Sequence, residues 1–132
     1  SYDKDEPKKA FLFESSIDLM SFMALHPDVT DCKFAAMAGL KPNVVEKLLA
    51  SGLDVTLCVD NDQAGRNFCN QFGGRCKCFV ECMMNNVKDF NELLIAKRTV
   101  SFAERVGAMK SWADKAIQRA SELQNPQLGF AR

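Results

Sequence analysis

Three carboxylates are the residues of this chain best placed to do chemistry. Glu14 closes the apolar run Ala10-Phe-Leu-Phe13, and Asp60 and Asp62 follow Val55-Thr-Leu-Cys-Val59. An apolar run that stops on an acid reads as a buried strand with a charged side chain at its carboxyl end. In open parallel sheets, ligands bind outside those carboxyl ends. If the two strands are neighbours, about 4.8 Å apart, Glu14 and Asp60 can approach one ion, and Asp62 can join from the same loop. Mg²⁺ takes oxygen ligands, usually one or two protein carboxylates completed by water and substrate phosphate oxygens. An acidic cluster with open sides therefore suits Mg²⁺, or Mn²⁺ in its place, and phosphoryl transfer. Asp18, four residues after Glu14, falls in the first turn of a following helix. It either leans back as a further ligand or complements the helix dipole.

The elements that would position these acids are legible as repeated strand–helix units. After the first strand, Ser15 or Ser16 caps a helix whose apolar side carries Ile17, Met20, Phe22, Met23 and Leu25, and Pro27 stops it. Phe34–Met37 reads as a second strand, Gly39 as a turn, and Pro42 as the start of a helix that Gly52 ends. Val55–Val59 is a third strand, followed by a helix through Arg66, Phe68 and Phe72 that stops at Gly73-Gly74. A fourth strand is expected over 75–81 and a short helix over 89–97. Serial units of this kind predict an α/β fold with an open, mainly parallel four-stranded sheet flanked by helices. Beyond it, Ser101-x-x-Glu104 is a capping-box pattern, and Phe102, Val106, Met109, Ala113, Ala116, Ala120 and Leu123 recur at helical spacing. A long C-terminal amphipathic helix follows, able to pack on the sheet or to bind a partner helix; packing on the chain's own core is the expectation.

With these motifs in view, the sequence resembles the Toprim family. Phe11-Leu-Phe-Glu14-Ser-Ser-Ile-Asp18 is similar to the first Toprim motif, and Asp60-Asn-Asp62-Gln-Ala-Gly65-Arg66 to the second. Lys88-Asp89-Phe-Asn91-Glu92 resembles the downstream element of the primase-related branch. The resemblance implies a Rossmann-like fold, a Mg²⁺ held by Asp60 and Asp62, and Glu14 as general acid/base. It also implies that Gly39 lets backbone approach a phosphate. One departure is Ser15, where such families often carry glycine. The implied partners are DNA or an RNA primer-template, in a primase, a topoisomerase, or a plasmid or conjugative-element protein concerned with replication or mobilisation. The alternative is a non-catalytic scaffold that keeps the fold to bind DNA or a protein. Lys41, Arg66 and Lys88 are candidate phosphate contacts, the first two equally readable as solvated charges. Asp89 is a candidate substrate contact that, with Glu92, also reads as a helix cap.

Composition sets the limits. With 132 residues and 47% apolar content, one core is expected. The organisation reads as a charged tail at 1–9, a core at 10–98, the C-terminal helix at 99–124 and a tail at 125–132. The chain opens Ser1-Tyr2-Asp3, which suggests a segment of a longer protein with flanking domains. Net charge is zero, so nucleic-acid contact must be local rather than driven by a global basic field. No apolar stretch is long enough to span a membrane and no leader pattern opens the chain, so a soluble, cytoplasmic protein is expected. The only tyrosine, Tyr2, lies in the charged tail, which argues against independent strand cleavage of the topoisomerase type. The six cysteines lack paired knuckle spacing, and free thiols without zinc are expected.

Overall fold

The computed structural model describes residues 6–124. Tyr2, most of the expected N-terminal tail and the tail at 125–132 lie outside the described residues. Four strands, β1 (Lys9–Phe13), β2 (Lys33–Ala36), β3 (Asp54–Cys58) and β4 (Lys77–Cys78), form one sheet in the order β2-β1-β3-β4. All pairings are parallel. Between them run helices α1 (Ser16–Leu25), α2 (Pro42–Ala50) and α3 (Gln63–Phe72), followed by α4 (Glu81–Met84) and α5 (Phe90–Gln124). This is the open parallel α/β sheet that the strand–helix repeats predict.

Both faces of the sheet are covered, and alternation along the strands divides the core in two. Leu12, Val55, Leu57 and Val59 pack with Val45 of α2 and with Phe68 and Phe72 of α3. Phe13 and Cys58 pack with Phe22 of α1, Cys82 of α4, and Phe90 and Leu93 at the start of α5. The second cluster is strongly aromatic. Phe22 is fully buried, and its ring centroid lies 5.2 Å from that of Phe13 and 5.3 Å from those of Phe11, Phe79 and Phe90. Tilted and edge-on pairs at this separation are favourable beyond their burial. The six cysteines carry free thiols, and Cys58, Cys76 and Cys82 are buried as small apolar side chains.

Local signals account for most boundaries. Ser15 caps α1, Pro42 opens α2, Asp62 caps α3, and Gly73 ends α3 in the left-handed region at φ 55°. Three expectations need correction. The strand expected over 75–81 pairs in register only at Lys77 and Cys78, with one further bond from the Phe79 N–H to the Leu57 carbonyl at 2.9 Å, because a tight turn over Gly73–Arg75 precedes it and Glu81 already begins α4. Residues 8 and 9 are not tail: Lys9 begins β1, and the Lys8 carbonyl accepts the Asp54 N–H at 2.8 Å. The helix expected over 89–97 does not stop, so the boundary placed at 98/99 falls inside α5 and Ser101 caps nothing.

The described chain divides into two compact units, at Ile95 and Ala96. In the second unit α5 carries Phe102, Met109 and Leu123 as exposed side chains, at 68%, 70% and 76%. No described helix is long and apolar enough to cross a membrane.

Deleting the ring at the centre of the aromatic cluster tests this packing. Phe22→Ala should lower unfolding free energy by about 3–5 kcal/mol, the usual loss for a buried aromatic. Urea denaturation checks it; a loss below about 1 kcal/mol would mean that the ring is not packed as described.

Candidate metal centre

The topology places an opening at the carboxyl ends of β1 and β3. From β1 the chain crosses to β2 on one side and then returns to β3 on the other, so the two strands flank the point where strand order reverses. They are paired in parallel, with Phe13 opposite Cys58. Glu14 and Asp60 follow these ends, and both line an open cavity of about 430 Å³ together with Asp18, Gly39, Asp89 and Asn91. The Asp60 N–H donates to Glu14 Oε2 at 3.2 Å. Gly39, at φ +112°, donates its N–H to the Glu14 carbonyl at 2.8 Å, in a backbone conformation that glycine adopts without strain.

The carboxylates that converge are Asp18, Asp60 and Asp89, one oxygen of each lying within 4.8 Å of the others. This differs from the expected trio of Glu14, Asp60 and Asp62. Asp62 is the N-cap of α3, and its Oδ1 accepts the Gly65 N–H at 2.7 Å. A cap pairing of this kind stabilises a helix by about 1 kcal/mol and turns the carboxylate toward the helix. Gly65 is needed for the same turn, because a methyl group there would collide with the Asp60 carbonyl oxygen.

Asp18 is both things that its position allowed, a first-turn acid and a member of the cluster. It is 5% exposed and held on both oxygens: Ser15 Oγ donates to Oδ2 at 2.8 Å, and the Asn91 N–H donates to Oδ1 at 3.3 Å. Ser15 also accepts the Asp18 N–H at 3.2 Å, so the serine that departs from the family's usual glycine orients this carboxylate.

Asp89 arrives through the loop before α5. Asn61 donates its backbone N–H to the Lys88 carbonyl at 2.6 Å and its side-chain amide to the Val87 carbonyl at 3.1 Å. Those two bonds fasten residues 87–89 beside Asp60. Asp89 also caps α5, accepting the Glu92 N–H at 2.8 Å, while Glu92 accepts the Lys88 N–H at 2.7 Å. Of the residues the sequence offered as phosphate contacts, only Gly39 and Asp89 line the acidic cavity. Lys41, Arg66 and Lys88 are exposed, and Arg66 donates to Asn61 Oδ1 at 3.2 Å. Ser15, Asn61 and Asn91 were not anticipated as positioning groups. Their signal is the adjacency of each to an acid of the cluster in sequence or in a motif.

The electrostatics follow from this crowding. Two unit charges within 4.8 Å of each other repel by roughly 3.5 kcal/mol or more at an effective dielectric near 20, more than a cap or a single hydrogen bond returns. Among the described residues no Lys or Arg forms an ion pair with Glu14, Asp18, Asp60 or Asp89. Burial, and after it the charges of Glu14, Asp18, Asp89 and Asp62, push Asp60 up to about 7. Asp18 is also raised, first by burial, against the lowering pull of Ser15. The donor set is all oxygen, concentrated and uncompensated, which fits a hard divalent cation and not a thiophilic one.

The raised Asp60 value gives a signed prediction. Between the ordinary Asp range and pH 7 the folded protein holds a proton that the unfolded chain has lost, so this group's contribution to stability is greatest at low pH. It is lost as pH rises through about 7. Metal-free Asp60→Asn, which cannot ionise, should therefore melt several degrees above wild type at pH 8 and close to it at pH 4. Thermal melts across pH in chelator check this; an equal difference at both pH values would contradict it.

Comparison with known proteins agrees with the motifs. An uncharacterised protein of Bacillus anthracis, pXO2-78, is 36% identical over 72 residues, covering 48% of this chain and 21% of that protein. The chain thus spans about a fifth of that relative's length. A likeness in fold extends to a chain in the structure of bacteriophage T7 lagging-strand DNA polymerase with primase domains bound to an RNA/DNA hybrid and dTTP. The TM-score is 0.48 and the identity 21%, over 77% of this chain and 55% of that one. The model of the Toprim-like family matches residues 11–94, which include all four acids of the centre and span more than half of the sequence: the chain belongs to the Toprim-like family.

Proposed function

We propose that this domain is the Mg²⁺-dependent phosphoryl-transfer module of a larger DNA-processing protein of the primase or plasmid-mobilisation type, acting on DNA or on an RNA primer-template. The observation that carries the reading is the convergence of Asp18, Asp60 and Asp89 beside Glu14, with no ion pair to Lys or Arg among the described residues. In this reading Asp60 and Asp89, with the buried Asp18, hold the metal, with Mn²⁺ able to substitute. Bound there, Mg²⁺ supplies charge neutralisation for phosphate oxygens.

The chain's own groups divide the remaining work. Glu14 lines the cavity without belonging to the three-carboxylate set, so it is free to exchange a proton with the reacting hydroxyl or leaving oxygen as general acid/base. Gly39 presents no side chain to the same cavity, leaving room for a phosphate against backbone. Lys41, Arg66 and Lys88, exposed on the surface, supply local cations for the nucleic-acid backbone. Asp62 serves by holding α3 against the Asp60 loop.

Metal binding and catalysis separate experimentally. With a dissociation constant near 1 mM, 10 mM Mg²⁺ should stabilise the folded domain by roughly 1.4 kcal/mol, or several degrees in Tm. Asp60→Asn with Asp89→Asn should abolish that shift. Glu14→Gln should keep it and abolish nucleotidyl-transfer or nicking activity of the parent protein, because an amide cannot exchange the proton. A wild-type melt that ignores Mg²⁺ would remove the metal reading, and full activity in Glu14→Gln would remove the acid/base reading.

A further inference from the structure

The second unit presents a long helix face whose pattern specifies an occupant. Phe102, Val106, Met109, Ala113, Ala116, Ala120 and Leu123 are spaced alternately four and three residues apart, the seven-residue seam of a coiled coil. Ile117 and Trp112 flank the seam, 68% and 74% exposed. Phe102, Val106 and Met109 are likewise exposed, at 68%, 46% and 70%. Size is distributed unevenly: the three large residues come first and three alanines follow.

That asymmetry is self-complementary in one orientation. When two such helices run antiparallel about a two-fold axis at residue 111, the seam layers pair Phe102 with Ala120, Val106 with Ala116 and Met109 with Ala113 of the second copy. Each large side chain then meets a small one, as close packing requires. Trp112 meets Trp112 of the second copy beside the axis. In a parallel pair each layer would instead set a residue against itself, Phe102 on Phe102 and alanine on alanine, overfilling one end and leaving the other hollow.

We propose that this face of α5 is a homodimer interface, an antiparallel helix pair formed with a second copy of the chain. The area is sufficient. A buried aromatic ring removes about 150–250 Å² from water, and four such rings with paired Val106, Met109, Ile117 and Leu123 exceed the roughly 1,200 Å² of a stable interface. The flanks limit the affinity, because Arg105 faces Arg119 of the second copy and Lys110 faces Lys110. Like charges on a helix surface repel weakly and are screened by salt, so the pair tightens as ionic strength rises.

Those charges also report orientation. In the antiparallel pair Arg119→Glu converts two repulsions into attractions and should lower the dissociation constant about fivefold or more. Adding Arg105→Glu should take the gain away by setting glutamate against glutamate. In a parallel pair Arg119 does not meet Arg105 of the second copy, and Arg119→Glu alone would change little. Sedimentation equilibrium of the 132-residue chain in chelator, at low and high salt, reads all of this, with circular dichroism to check helicity. Expected are a dimer that strengthens with salt, a tighter Arg119→Glu dimer and a reversal in the double variant. A chain that stays monomeric at every salt concentration, or a dimer indifferent to Arg119→Glu, would overturn the proposal.

Discussion

Four acids gathered at the carboxyl ends of two adjacent strands repel one another, and the fold is organised to keep them there. Each is held by a different element. Glu14 ends β1 and takes the Asp60 N–H; Asp18 is clasped between Ser15 and the start of α5; Asp60 follows β3; and Asp89 is fastened through Asn61. The aromatic cluster beneath, with Phe13, Phe22 and Phe90 in mutual contact, binds β1, α1 and the start of α5 into one layer. Three of the four acids rest on the elements that this layer joins. Burial stabilisation of several large rings outweighs the repulsion of a few carboxylates, which is how a centre of this charge density stays assembled.

The arrangement also explains why the glycines and small polar residues around the acids are what they are. Gly65 lets α3 start against the Asp60 carbonyl, and Asp62 spends its carboxylate on capping that start. Ser15 replaces conformational freedom with a side chain that caps α1 and directs Asp18 at once. Asp89 combines capping of α5 with membership of the cluster, so the choice between cap and site that the motif posed is not a choice.

Much of this was legible in the sequence, and what was not has physical causes. The strand–helix order, the caps and the adjacency of Glu14 and Asp60 follow from apolar runs, turn residues and motif order. Which acids converge does not, because Asp18 and Asp89 are brought to Asp60 by hydrogen bonds between segments distant in sequence, such as those of the Asn91 N–H to Asp18 and of Asn61 to the Val87 and Lys88 carbonyls. Asp62 looked equivalent to Asp60 by spacing, yet the first turn of α3 claims its carboxylate. The break expected near Ser101 failed for another reason: the weak formers from Thr99 to Phe102 are carried by Ala96, Lys97 and Arg98 before them and Ala103, Glu104 and Arg105 after, so a capping pattern in mid-helix is not a start.

The central proposal is that Asp18, Asp60 and Asp89 form the cation site, with Asp62 capping α3. Crystals grown with Mn²⁺ and measured for anomalous scattering test it most directly. The account predicts a difference peak coordinated by Asp60 together with Asp89 or Asp18, with Glu14 at its margin and Asp62 still bonded to the Gly65 N–H. A peak ligated by Asp62 in place of Asp18 and Asp89, or a fully loaded crystal with no peak in this cavity, would contradict it.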